Sequence, residues 1–411
     1  MRAEIPAWVG ELDEKDPVKD FRARFTLPPN VIYLDGNSLG AMPKATAPRL
    51  DEVIRREWGD GLIRSWNDHD WVSASRRVGD KIAALIGARE GEVVVADSTS
   101  VNLFKLLMAV VTARPGRKII LSEAGNFPTD LYVAQGMAAL VPDLSLHAVA
   151  EKDLLEAITE DVAVLLLTHV HYKTGHKHDM ARLTRRAHER GALTIWDLSH
   201  SVGAVEIDLG AADADLAIGC GYKYLNGGPG APAFLYVAGR LQKELHSPIA
   251  GWFGHAEPFA FAGEYQPAPD INRFLSGTPP VLGLMALEVG VDLLAEAPRN
   301  LLFQKSRELC ARFMEWTEPC REFGVELVTS RDSATRGSHV SLRHSDGYAI
   351  VQALIADGII GDFRAPDIMR FGFAPLYLSF AEVWQAAEAL RDVLATRKWD
   401  DPRFHKRARV T

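Results

Sequence analysis

Gly221-Tyr222-Lys223-Tyr224-Leu225-Asn226-Gly227-Gly228-Pro229-Gly230 follows a short, mostly apolar run at residues 214–220. Such a run, closed by glycines, reads as a buried strand. A lysine just past a strand end, held between two tyrosines, is a poor fit for a free surface residue, and an amine there can condense with an aldehyde cofactor. Upstream, residues 192–195 form another strand-like run, closed by Trp196-Asp197-Leu198-Ser199-His200. An acidic residue at a neighbouring strand end can hold a cofactor's ring nitrogen protonated. Lys223 and Asp197 together therefore describe a site for pyridoxal 5'-phosphate (PLP), which needs a lysine and a pyridinium partner.

Working outward, strand-like runs at 92–96, 118–121, 162–167, 193–196, 215–218 and 233–237 are interleaved with helix-period segments at 101–111, 129–140 and 180–190. Strands separated by helices need crossover connections, so the expected fold is α/β with a large, mainly parallel sheet covered on both faces. Ligands gather beyond the carboxyl ends of such strands, where Asp197, His200, Thr168 and Thr99 all fall. The pattern changes near residue 290. A helix over 281–295 leads into further helix through 318, then strands at 325–329 and 339–343, a helix at 348–356, and strands near 359–363 and 369–374. Ser379-Phe380-Ala381-Glu382 spells a capping box before a last helix ending near 396. These elements predict a smaller C-terminal α/β domain joined by the N-terminal segment, dividing the chain at 1–50, 51–290 and 291–411.

The chain has 411 residues, 47% hydrophobic, with a formal charge of −8. Its basic residues are dispersed, which argues against nucleic-acid or anionic-membrane surfaces. The tail Lys406-Arg407-Ala408-Arg409 is too short to change this. Three cysteines, Cys220, Cys310 and Cys320, show no paired spacing and suit a reducing cytoplasm. The N-terminus, Met1 to Pro6, has no signal-peptide core. A cytoplasmic location follows. No G-x-G-x-x-G follows the first strand, which disfavours a nicotinamide dehydrogenase.

Several constellations carry chemistry. Asp97-Ser98-Thr99-Ser100-Val101-Asn102 joins a strand to a helix, so free amides and the helix dipole suit a phosphate there, although an ordinary N-cap reads the same way. Gly125-Asn126-Phe127-Pro128-Thr129-Asp130 also opens a helix; Phe127 could stack on a cofactor ring, with Asp130 at its edge. Arg370 is a charge inside an apolar strand and wants either a substrate carboxylate or an internal acidic partner. His169, His171, His176 and His178 alternate near a strand end, yet no carboxylate or cysteine nearby completes a ligand set, and no metal is expected.

With these residues in view, the chain resembles the kynureninase family of the fold-type I, aminotransferase class V PLP enzymes. The likeness runs from Tyr33-Leu34-Asp35-Gly36-Asn37-Ser38-Leu39-Gly40 through Asn126–Asp130, Trp196–Ser201, Tyr222–Asn226 and Gly251-Trp252-Phe253-Gly254-His255 to the Arg370 strand. It implies a seven-stranded-type sheet and the hydrolysis of L-kynurenine, or 3-hydroxykynurenine, to anthranilate, or 3-hydroxyanthranilate, and L-alanine by Cβ–Cγ cleavage, in tryptophan degradation or NAD biosynthesis. It implies Lys223 as the Schiff-base lysine and Asp197 on the pyridine nitrogen. Thr99, Ser100, Phe127, Thr129, Asp130, Thr168, His200 and Tyr222 would surround the cofactor, Tyr222 also serving as an acid. Trp252 and Thr278 would reach it from the partner subunit of a homodimer; relatives can carry asparagine at the Thr278 position. Arg370, helped by Asn37 and Ser38, would take the substrate's α-carboxylate. Trp66, His69 and Phe253 are candidates for the aromatic-ring pocket. Another class V enzyme, an aminotransferase or a cysteine desulfurase, is the alternative; a desulfurase needs a mobile nucleophilic cysteine. A non-catalytic PLP-binding regulator would need a nucleic-acid module, and none is visible.

Overall fold

The structure is a computed structural model that describes residues 4–407. Residues 1–3 and 408–411, including Ala408 and Arg409 of the basic tail, lie outside the described residues. Seven strands form the large sheet: β1 (Val93–Val95), β2 (Ile119–Glu123), β3 (Ser145–Val149), β4 (Val162–Thr168), β5 (Leu193–Asp197), β6 (Leu216–Gly219) and β7 (Phe234–Val237). Their order is β3-β2-β4-β5-β6-β7-β1, parallel except where β7 pairs with β6 and β1. Every residue of β4, Val-Ala-Val-Leu-Leu-Leu-Thr, is buried. A continuous apolar run is what a parallel strand covered by helices on both faces requires. β3 lies at the sheet edge and is half exposed, with polar Ser145 and His147 in it.

Helix starts aim two turns at the carboxyl edge. Helix α1 (Thr99–Ala113) begins at Ser98, whose side chain accepts from Val101 N. The turn before it holds Asp97 in the left-handed region (φ +48°). Buried Lys105 fixes that turn by donating to Asp97 Oδ2 at 2.8 Å and to Phe274 O at 2.7 Å. Helix α2 (Pro128–Leu140) opens on a proline, which suits a first helical position because its fixed φ matches and its missing N–H is not needed.

A second, four-stranded antiparallel sheet contains β8 (Glu326–Leu327), β9 (His339–Arg343), β10 (Asp362–Arg364) and β11 (Ile368–Gly372), ordered β8-β9-β11-β10. The N-terminal segment is tied to this part of the chain. Ile32 and Tyr33 pair in parallel with Ile359 and Ile360. Asp13 accepts from the amides of Phe380 and Ala381 at 2.6 and 3.0 Å, at the start of the last helix (Phe380–Ala395). The expected capping box is present there, with Ser379 and Glu382 reciprocally bonded. Gly40 ties the N-terminal segment to the loop past β6: its amide donates to Tyr222 O at 2.8 Å, and a Cβ on it would lie 2.2 Å from Lys223 O. No side chain fits there.

Candidate active site

Lys223 is buried just beyond β6, with Nζ 3.2 Å from His200 Nε2. The ammonium also lies 5.8 Å from the Phe127 ring centroid and 5.9 Å from that of Tyr222. Asp197 ends β5 and is buried; its Oδ1 accepts from Ser199 N at 2.8 Å. Burial raises its pKa, and Lys223 opposes the rise. Asp130, in the first turn of α2, is raised well above the carboxylate range by burial and then by the charge of Asp197. Two carboxyls thus share a buried space near one lysine: burial and Asp197 favour the protonated form of Asp130, while Lys223 draws Asp197 toward ionisation. His200 is held neutral, first by burial and then by Lys223. Burial likewise raises the Tyr222 phenol, which keeps its proton at neutral pH.

Asn126 organises the opposite wall. Its Oδ1 accepts from Phe127 N at 2.9 Å and from Thr168 N at 3.2 Å, and its Nδ2 donates to Ser122 Oγ at 3.0 Å. That ties the α2 turn to the ends of β2 and β4 and sets Phe127 over the lysine. Thr129 is half-buried beside Asp130 in the same turn. A cavity of about 330 Å³ adjoins Tyr222 and is lined by Asp97, Ser98, Thr99, Gly230 and Ala231. The cavity lies at the α1 start, where a helix's free amides and dipole suit an anion, Ser100 lying next in the same turn. Gly228 and Gly230 take positive φ (+85° and +74°) in the loop that closes it.

These residues fit the expected cofactor. Asp130 Oδ2 and Thr168 Oγ1 are buried without a hydrogen-bond partner among the described residues, a costly state unless a ligand supplies one. A protonated ring nitrogen beside Asp197 would hold that carboxyl ionised.

A second cluster sits where β10 and β11 meet the N-terminal turn. Arg370 is almost fully buried. Its Nε donates to Asp362 Oδ1 at 2.8 Å and its Nη2 to Ser38 Oγ at 2.9 Å, while Nη1 donates to Tyr172 O at 2.6 Å. With its amide turned to suit, Asn37 accepts from Arg370 Nε at 3.0 Å. Of the two partners the sequence allowed, the internal one is present: Asp362 is Arg370's direct cross-strand neighbour. Arg364, absent from the sequence-based candidates, donates to the same carboxylate at 2.7 Å. Two guanidiniums around one carboxylate leave a positive charge over.

Trp252 is half-buried and Thr278 exposed, and among the described residues no hydrogen bond or ring contact joins either to the Lys223 cluster. Trp66 and Phe253 do meet, with ring centroids 5.9 Å apart, and Trp252 packs on Phe253 at 4.4 Å. His69 lies 4.0 Å from Glu57 instead. Cys220, Cys310 and Cys320 are all buried and free. Burial pushes the thiols of Cys310 and Cys320 up to about 12. No accessible thiolate is offered.

Sheet order, the lysine past β6 and the carboxylate ending β5 define a fold-type I PLP-dependent enzyme. A solved structure of an apo cysteine desulfurase from Thermococcus onnurineus NA1 has this fold, with a TM-score of 0.78 at 19% identity, covering 96% of this chain and all of that one. Residues 302–390 match the family model for the kynureninase C-terminal domain. Over 407 residues the chain is 50% identical to a kynureninase of Pseudomonas fluorescens and 49% identical to one of Burkholderia pseudomallei strain 1106a; each match covers 97% of this chain and 98% of the relative. The chain belongs to the kynureninase family.

Proposed function

We propose that the chain hydrolyses L-kynurenine, or its 3-hydroxy derivative, to the matching anthranilate and L-alanine, with PLP carried on Lys223. The observation that carries this reading is the convergence of buried Lys223, Asp197 and His200 with half-buried Tyr222 beside the cavity at the α1 start, in a chain half identical to a kynureninase. When bound, the cofactor supplies an aldehyde for the substrate's amino group and a ring that accepts electrons from bonds broken at the substrate's α and β carbons.

The remaining work falls to side chains. Asp197 would keep the ring nitrogen protonated; Thr99 and Ser100 at the α1 start would hold the phosphate, and Phe127 would lie against the ring. Thr129, Asp130, Thr168 and His200 complete the cofactor contacts. Arg370, with Asn37 and Ser38, would bind the α-carboxylate and so orient the α-hydrogen. Lys223 moves the α-proton, and Tyr222, kept protonated by burial, delivers one to the departing β-carbon. Each such positioned acid or base contributes about 10²–10⁴ in rate.

Trp252 and Thr278 would act in the site of a second copy. Support comes from exposed apolar side chains: Trp58 and Leu282 line one cavity and Met42 and Leu282 another, while Trp252 itself stacks with Phe261, which is 76% exposed; apolar surface of this kind marks interfaces. Among the described residues no helix is long and apolar enough to cross a membrane. A cytoplasmic place in tryptophan breakdown or NAD supply belongs to the same proposal, as does the division at residues 51 and 291.

Adding L-kynurenine to the purified, PLP-loaded protein is expected to release anthranilate, followed by its fluorescence. Pyridoxamine phosphate accumulating instead would identify an aminotransferase and overturn the reading. The desulfurase alternative is opposed by three buried thiols.

The carboxylate-binding cluster also predicts a pH effect. Burial, then the charge of Asp362, raises Asp35 to about 7. Below that pH Asp35 is neutral and the two arginines face one carboxylate. Above it Asp35 ionises and cancels the charge that attracts the substrate. KM is expected to rise up to about tenfold through this range, the factor that one unit of pKa coupling carries. Asp35→Asn should flatten the rise; a variant that keeps the wild-type profile would exclude this role.

A further inference from the structure

In the chain no carboxylate or cysteine completes a familiar ligand set with His169, His171, His176 and His178, which is why the sequence predicts no metal; Asp179, next to His178, caps a helix by accepting from Arg182 N at 3.0 Å. Folding brings two carboxylates to them. Glu151, just past β3, lies 2.8 Å from His176 Nε2. Glu123, the last residue of β2, meets His178 Nε2 at 3.0 Å and lies 3.9 Å from His171 Nε2. The His176 and His178 rings stand edge to face, 5.1 Å apart. Glu151, His176 and His178 can each turn one ligand atom to a common point, since these atoms lie within 4.8 Å of one another. A cavity of about 620 Å³ opens onto the same three residues. His169 lies deeper, its Nδ1 on Ser201 Oγ at 3.0 Å, and is not part of the group.

We propose that Glu151, His176 and His178 form a binding site for one divalent transition-metal ion of the zinc type, separate from the PLP site. Two imidazoles and one carboxylate are a donor set that zinc accepts, with the fourth position left to water from the cavity. Calcium and magnesium want all-oxygen shells and are disfavoured. Glu123 supplies the outer partner that metal-binding imidazoles usually have. By occupying Nε2 of His178 it leaves the other ring nitrogen with a free lone pair. Burial, opposed by Glu151, lowers the His176 pKa, so this imidazole is neutral and able to ligate.

The ion would clamp a segment that bridges the two sheets. Between His171 and His176, Tyr172 O accepts from Arg370, Lys173 O from Ser341 Oγ at 2.6 Å, and Thr174 O from Thr329 Oγ1 at 2.7 Å. Pinning His176 and His178 to Glu151 holds that bridge against β3, so metal binding should stabilise the fold.

The test uses the PLP-loaded protein, dialysed against a chelator and then titrated with Zn²⁺ in competition with a chromophoric chelator. Co²⁺ is added separately, its absorption read at wavelengths beyond the cofactor's. One equivalent per chain is expected, together with a higher melting temperature. His176→Ala and Glu151→Gln alter partly exposed side chains and should fold, yet lose that equivalent and the thermal shift. Glu123→Gln should weaken binding about 10–100-fold, as loss of an outer partner does. Metal-free His176→Ala should turn over kynurenine at the wild-type rate. Absence of a bound equivalent, or one that survives both His176→Ala and Glu151→Gln, overturns the proposal.

Discussion

Lys223→Ala is expected to lose both the covalent attachment of PLP and kynurenine turnover, with kcat falling by at least about 10⁴-fold, the upper end of what one positioned acid–base group supplies. Among the described residues no other lysine nitrogen is placed between His200 and the Phe127 ring, so no neighbour replaces it. The fold should survive. Removing the cation leaves Asp197 buried beside Asp130, but Asp197 is already raised by burial and can take up a proton instead of remaining charged. Lys223→Arg separates two roles: it keeps a positive charge near Asp197 but has no nucleophilic nitrogen. If Lys223 served only as a counter-ion, the arginine variant would keep activity. Both variants are expected to be inactive and to give no borohydride-trapped adduct with PLP. Turnover within tenfold of wild type in Lys223→Ala would remove Lys223 from the chemistry.

The large sheet was legible because its strands are buried on both faces, and such runs stand out against helical periodicity. β3 was missed for the same physical reason. As a half-exposed edge strand of Ser-Leu-His-Ala-Val it has neither a continuous apolar run nor a clean alternation. The helix read over 281–295 and the further helix read through 318 are Val281–Glu296 and Arg299–Trp316, parted at Pro298, which cannot continue the first. At the site, Lys223, Asp197 and Thr99 could be found because strand-end motifs are local. What could not be read was register. Asp362 opposes Arg370 only through the β10–β11 ladder, and Arg364 reaches the same carboxylate because it sits two residues further along one strand. An Asp-Phe-Arg alternation in a strand near Arg370 was the available signal. Glu123 and Glu151 likewise meet the histidines only after β2 and β3 pair in parallel.

Arg370→Ala should damage both substrate binding and the fold, and the two effects can be measured apart. Arg370 and Asp362 are a buried pair, with side-chain exposures of 1% and 2%. Deleting one member strands the other as an uncompensated buried charge, a loss of about 3–5 kcal/mol. Arg364 remains on the carboxylate and should keep the cost toward the lower figure. Burial alone would raise Asp362, but Arg370 and then Arg364 outweigh it and hold the carboxyl at about 2, below its ordinary 3.8. A depressed carboxylate adds stability that is full above its unfolded pKa and lost as pH falls through the folded one. Wild-type protein should therefore lose this contribution between about pH 4 and 2, and Arg370→Ala should show a smaller acid-dependent loss because the contribution is already missing. Arg370→Lys keeps the charge but not the two-pronged fork. It should unfold at a denaturant concentration closer to wild type while KM for kynurenine rises steeply and kcat changes less. If Arg370 served only the internal pair, Arg370→Lys would retain the wild-type KM whenever it retained the fold; that outcome would move the α-carboxylate site away from β11.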